Sequence, residues 1–185
     1  MIDLEYAASL DGLTAPSDEF LALITGGLET QTMALAMARM SCCALAVRGL
    51  WRAWGVQHEI LDRPYVIGRA VSDLATIARA HGALYASRVP QPGDCVIVGG
   101  GTDGGGVEHA YTVLSAEPDL YDEHVMSVTS IDGGQRTKAG LQTILQMDRV
   151  LGGGWDRASR ASDPGGGSSR RVRWVVDVAG MMGAA

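Results

Sequence analysis

The hydrophobic period of the chain changes near residue 91, and that change limits the fold more than any other feature. Before it, apolar residues recur every three or four positions, the spacing of one helix face. After the turn Gln91-Pro92-Gly93-Asp94 come short runs with the alternation or continuous apolarity of strands. Helices first and antiparallel strands after is the order of an α+β protein. With 185 residues, 46% hydrophobic and 19% charged, the chain is long enough to bury a core and is expected to form a single domain over residues 1–185.

Within the helical part, PSDEFLALIT (16–25) predicts a short helix, with Pro and acids in its first turn and Gly26-Gly27 at its end. Residues 30–39, rich in Ala and Met, predict a second. From Cys43 to Trp54, the residues Val47, Leu50, Trp51 and Trp54 make one apolar face, Arg48 and Arg52 lie on the opposite side, and Gly55 is the expected cap. A further helix is expected over 69–79, stopped by Gly82. Strands are expected at 95–98, 109–114, 124–131 and 173–178. Two glycine-rich stretches, GGGTDGGG (99–106) and DPGGGSS (163–169), read as flexible loops. The first has the spacing of a phosphate cradle, but no helix follows it, and that context is required.

Composition removes several classes. The net charge of −6, with no Lys/Arg stripe, argues against a nucleic-acid partner. The run Arg170, Arg171, Arg173 borders a strand and reads as a solvated edge. The N-terminus MIDLEYAASLDG carries acids and no basic segment, so it is not read as a signal peptide. No apolar run reaches the roughly 18 residues of a membrane span. The expectation is a soluble protein, cytoplasmic or delivered to the periplasm or cell wall by another route.

There are three cysteines, Cys42, Cys43 and Cys95. Adjacent cysteines rarely bond to each other, and an odd, sparse set is not a disulfide framework, so reduced thiols are expected. A zinc site from these three and a histidine would lack the usual C-x₂-C and H-x₃-H pairs. No metal and no cofactor are expected, and Cys95, inside an apolar run, reads as core.

Cys42 and Cys43 stand at the start of a predicted helix, where unpaired N–H groups and the macrodipole favour a thiolate. His109 opens a strand directly after the glycine loop. Asp132 closes the next strand, in SVTSIDGGQ. If these two strands pair antiparallel, the start of one lies beside the end of the other, and Asp132 comes within reach of His109. A nucleophile, a base and a group to orient the base would then stand together. Gln135 is a weaker source of polar help. His124 could replace His109, and His58 and His81 read as helix-end caps.

SCCALAVRGLWRAWG, QPGDCVIV, EHAYTVL and SVTSIDGG, in that order over about residues 40 to 135, resemble the papain-like cysteine peptidase superfamily, in particular the NlpC-like and CHAP cell-wall hydrolases. Two cysteines stand here where those families have one. Both satisfy the helix pattern; Cys43 is preferred as nucleophile, because the pattern S-x-C-small-Leu then leaves a small residue on each side, and Cys42 is the alternative. The resemblance implies a papain-like fold, with N-terminal helices packed on a small antiparallel sheet. It also implies cleavage of peptide or amide bonds in peptidoglycan by Cys43, His109 and Asp132, as in a phage lysis enzyme or an antibacterial effector. A delivery apparatus or an immunity protein would then be possible partners. The rival expectation is a non-catalytic binding or structural module in a phage particle or secretion apparatus.

Overall fold

The computed structural model describes residues 1–39, 42–65, 69–99, 107–122, 124–137, 139–160 and 163–183. The first three helices start where short polar side chains cap them. Helix α1 (Leu4–Ser9), which the sequence reading did not anticipate, is capped by Asp3, whose carboxylate accepts from the Tyr6 N–H at 2.8 Å. Ser17 caps α2 (Asp18–Thr25), which ends on Gly26 at φ +64°, and Thr30 caps α3 (Gln31–Met37). Helices α4 (Cys43–Ala53) and α5 (Ala70–Ala80) follow, and a last short helix, α6, covers Val178–Gly183.

Helix α4 is the centre of the helical layer. Every residue from Cys43 to Trp51 is buried. Helix α2 crosses it at Gly49, where a Cβ would lie 2.4 Å from the Leu23 carbonyl oxygen, so only glycine allows this approach. Arg48, on the side opposite the apolar face, is buried as well. It is 2% exposed, and its Nη2 donates to the carbonyls of Ile60, at 2.6 Å, and Arg63, at 3.0 Å. The guanidinium thus pins the segment after α4 against the helix.

The strands are β1 (Leu84–Tyr85), β2 (Cys95–Gly99), β3 (Val107–Pro118), β4 (Val125–Arg136), β5 (Gln142–Gly152), β6 (Trp155–Arg160) and β7 (Asp163–Val176). All neighbouring pairs are antiparallel. They run β2-β3-β4-β5-β6-β7, and β7 returns to pair with β2, which closes a six-stranded barrel; β1 pairs with β7 outside it. The papain-like arrangement of helices on a small sheet is therefore not what the chain forms. Two strands absent from the sequence reading, β5 and β6, and a β7 much longer than the expected run at 173–178 supply the closure. DPGGGSS, read as a loop, is the first half of β7, where Ser168 and Ser169 pair with Ala158 and Arg157. Arg170, Arg171 and Arg173 are half-buried in the same strand rather than at a solvated edge. Of the glycine run 99–106 only Gly99 falls within the described residues.

Alternation along β2 links the two layers. Cys95 and Ile97 pack against the helices, whereas Val96 and Val98 join Tyr111, Val113, Val128, Leu151 and Val175 inside the barrel. The Pro92-Gly93-Asp94 turn sets the start of β2. Gly93 has φ +92°, and the buried Asp94 carboxylate accepts from the Gln91 N–H at 2.9 Å and from Arg88 Nε at 3.1 Å. Arg88 also donates to Asp177 at 2.7 Å, so one guanidinium ties this turn to the end of β7. Among the described residues, no helix is long and apolar enough to cross a membrane.

Candidate active site

The helical layer and the barrel meet at the first turn of α4. Helix α4 packs on β3 and β4. The closest approach is at Gly133, where a Cβ would lie 2.7 Å from Ala46 Cβ and 2.8 Å from the Cys42 carbonyl oxygen. The residue after Asp132 therefore rests on the residue before Cys43. Removing the side chain at position 133 is what lets strand and helix come this close.

Antiparallel pairing of β3 and β4 brings His109 and Asp132 together. Thr112 pairs with Ile131 and Val113 with Ser130. One step further along this register Asp132 lies across from Tyr111, and His109 is two residues away on the same face, a diagonal that a long side chain spans. His109 Nε2 lies 2.7 Å from Asp132 Oδ2, and Cys43 is near enough to the imidazole to act on its protonation. Since Nε2 faces the carboxylate, Nδ1 is the nitrogen left for the thiol. The three residues singled out in the sequence stand in series: thiol, imidazole, carboxylate. Asp132 does not close its strand, however; β4 runs on to Arg136, with a register shift between Asp132 and Gln135.

The electrostatics follow from burial and partners. Burial alone would lower the His109 pKa, but the hydrogen bonds to Asp132 and Cys43 and the charges of both outweigh it and hold the imidazole up, at about 9. Burial would raise Asp132; Arg149 first, then His109 and Ser130, bring it down to about 2. Cys43 occupies the first helical position of α4, and the preceding Cys42 makes no side-chain capping bond, so the positive end of the helix bears on the Cys43 thiol. Cys42 differs sharply. Burial and then the neighbouring Cys43 push its thiol up to about 12, and its Sγ points to the Met37 carbonyl at 3.8 Å. Cys95 is fully buried, and burial pushes its thiol well above the ordinary range. No disulfide joins these three cysteines.

The sequence reading missed the groups behind Asp132. Ser130 donates to Asp132 Oδ1 at 2.6 Å. Arg149, on β5, donates through Nε to Ser130 Oγ at 2.8 Å, through Nη2 to Asp132 Oδ2, and through Nη1 to Asp156 on β6. Its guanidinium lies 3.7 Å above the Tyr111 ring. All of these side chains are buried inside the barrel. The usable signal was the pairing of a lone Arg in TILQMDRVL with the Asp of WDRAS across a Gly-Gly turn.

The other candidates lie elsewhere. His124 is exposed at the start of β4, and the eight residues from it to Asp132 span about 26 Å of strand. His58 accepts from the Ile60 N–H at 3.1 Å, and His81, the cap of α5, sits 3.1 Å from the Gln57 carbonyl. Gln135 is half-buried beyond the bulge in β4. Ser41 falls outside the described residues. No group of three or more His, Cys, Asp or Glu among the described residues is placed to hold a metal ion. Comparison of the chain with protein-family models, with curated proteins and with solved structures gave no match.

Proposed function

We propose that this protein is a cysteine hydrolase that cleaves a peptide or amide bond by acyl transfer. The observation that carries the reading is the His109–Asp132 hydrogen bond beside Cys43, which occupies the N-terminus of a buried helix. His109 takes the Cys43 proton, and the thiolate attacks the amide carbonyl. His109 then returns the proton to the departing amine, which leaves a thioester on Cys43. Water, deprotonated by the now neutral His109, hydrolyses the thioester and regenerates the thiol. Asp132 holds the imidazole and balances its charge. The N–H groups in the first turn of α4 are the nearest donors for the oxyanion.

Peptidoglycan is the substrate we favour. The support is the order of the three residues along the chain and their motifs, which resemble those of NlpC-like and CHAP cell-wall hydrolases; the fold lends none. The test is digestion of purified wall sacculi, with products read by mass. Wild type should release fragments with a newly formed carboxylate and amine, and Cys43→Ala should release none. Intact sacculi together with turnover of small amides would move the substrate class away from the wall. A Cys43 inert to both, and to alkylation near neutral pH, would favour a non-catalytic binding module.

A further inference from the structure

We infer that Arg149 is a positioning residue for this site: by sharing one oxygen of Asp132 with His109, it limits how tightly the imidazole holds its proton. The inference rests on the hydrolase reading above. His109 Nε2 and Arg149 Nη2 both bond to Oδ2 of Asp132, while Ser130 bonds to Oδ1. The carboxylate is 0% exposed, so these groups and no solvent decide how its charge is distributed. A buried carboxylate with His109 as its single cation would hold the imidazolium too firmly for the proton to pass to a departing amine. With Arg149 on the same oxygen, Asp132 stays ionised whether His109 is charged or neutral. Both halves of the reaction need that, because His109 must be an acid first and a base next.

The surroundings are closed enough to make this specific. On the His109 side, Cys43 of α4 and Cys95 of β2 bear on the cluster. On the far side, Tyr111 lies under the guanidinium, Asp156 takes its other end, and Arg170 of β7 acts on Asp156. Ser130 locks the geometry, since one hydroxyl accepts from Arg149 Nε and donates to Asp132. A guanidinium suits the task because its fixed fork reaches Ser130, Asp132 and Asp156 at once.

The experiment is NMR titration of the His109 imidazole in the full chain, labelled at histidine, with sacculus turnover measured in parallel. The double variant Arg149→Met/Asp156→Asn removes the guanidinium without leaving Asp156 unpaired. Ser130→Ala is a milder change and tests the same idea if the double variant does not fold. Loss of Arg149 should raise the His109 midpoint by about one pH unit, a tenfold tighter hold on the proton. Turnover at pH 7 should fall at least as much. Ser130→Ala should shift the midpoint in the same direction by less. Arg149→Lys should keep the midpoint near that of wild type and recover part of the turnover. A purely structural role predicts the reverse, because a loosened site admits water and moves the imidazole down toward its ordinary 6.5. A midpoint that falls or stays put in the folded variants overturns the inference. Failure of the hydrolase reading looks different: wild-type His109 titrates near 9 yet no substrate turns over.

Discussion

Replacing His109 by Gln removes a titrating ring and keeps an N–H able to face Asp132. The wild-type imidazole has its folded-state pKa above the unfolded value, about 9 against 6.5. The stability it contributes is therefore complete below pH 6.5 and is lost as the pH rises through about 9. The side chain is 8% exposed, so solvent screening takes little away. A rise from 6.5 to about 9 is worth about 3 kcal/mol at most. Asp132, held near 2, contributes stability present above its unfolded value of 3.8 and lost only as the pH falls through about 2, so it does not titrate in the window that matters. The assay is urea unfolding of wild type and His109→Gln in reducing buffer from pH 6 to pH 10. Groups not coupled to His109 titrate in both proteins, so the difference reports the ring together with Cys43, its coupled neighbour. Wild type should exceed the variant by its full margin at pH 6, and the margin should shrink by about 3 kcal/mol by pH 10. With an unfolding slope of about 2 kcal/mol per molar urea, the gap between midpoints closes by about 1.5 M. Parallel stability curves, with a gap that does not change with pH, would refute an imidazolium paired to Asp132 and the proton inventory of the site with it.

Cys43→Ala should abolish hydrolysis with the fold intact, and Cys42→Ala should keep measurable activity; a dead Cys42 variant beside an active Cys43 variant would exchange the two roles. Iodoacetamide near neutral pH, with the modified peptide identified by mass, should label Cys43 and spare Cys42 and Cys95, whose thiols burial pushes far above neutrality. His109→Ala should lose far more activity than His124→Ala, since His124 is exposed at the distant end of β4. Gly133→Ala should destabilise the fold by about 1–3 kcal/mol in thermal or urea unfolding. It should also slow labelling of Cys43, because the new Cβ meets Ala46 and the Cys42 carbonyl at under 3 Å.

The helices from α2 to α5 were legible from end signals and apolar runs, whereas α1 and α6 were not anticipated. Gly26, Gly55 and Gly82 mark ends, and Val47, Leu50, Trp51 and Trp54 mark a face, so tertiary packing had little to override there. Cys43, His109 and Asp132 were legible for a different reason. Each stands at or near the end of a predicted element, and antiparallel pairing of the two strands between 107 and 136 fixes the rest. Arg48 shows the limit of the stripe argument. A helix in the centre of its layer has no solvated side, and a long guanidinium is accommodated there by bonding to the carbonyls of the segment that covers it.

The barrel escaped notice because its interior is partly polar. Alternation is read by assuming that polar residues face water. In β5 and β6, Arg149 and Asp156 face inward and form an ion pair, so the two strands lose their period-2 signature on the side that should have shown it. The Gly153-Gly154 turn, with φ of +58° and +77°, was a sound hairpin signal between them, because Gly152 pairs with Trp155 across it. Its weight was lost for want of recognisable flanking strands. The same polar pairs that hid the strands hold Asp132 from behind. An apolar interior would have left that carboxylate with His109 and Ser130 alone, and burial would have worked against its charge. Arg149 reaches the carboxylate from β5, the neighbour of β4, and Asp156 on β6 holds its other end. The strands that the sequence did not announce thus supply the groups that keep Asp132 charged beside His109.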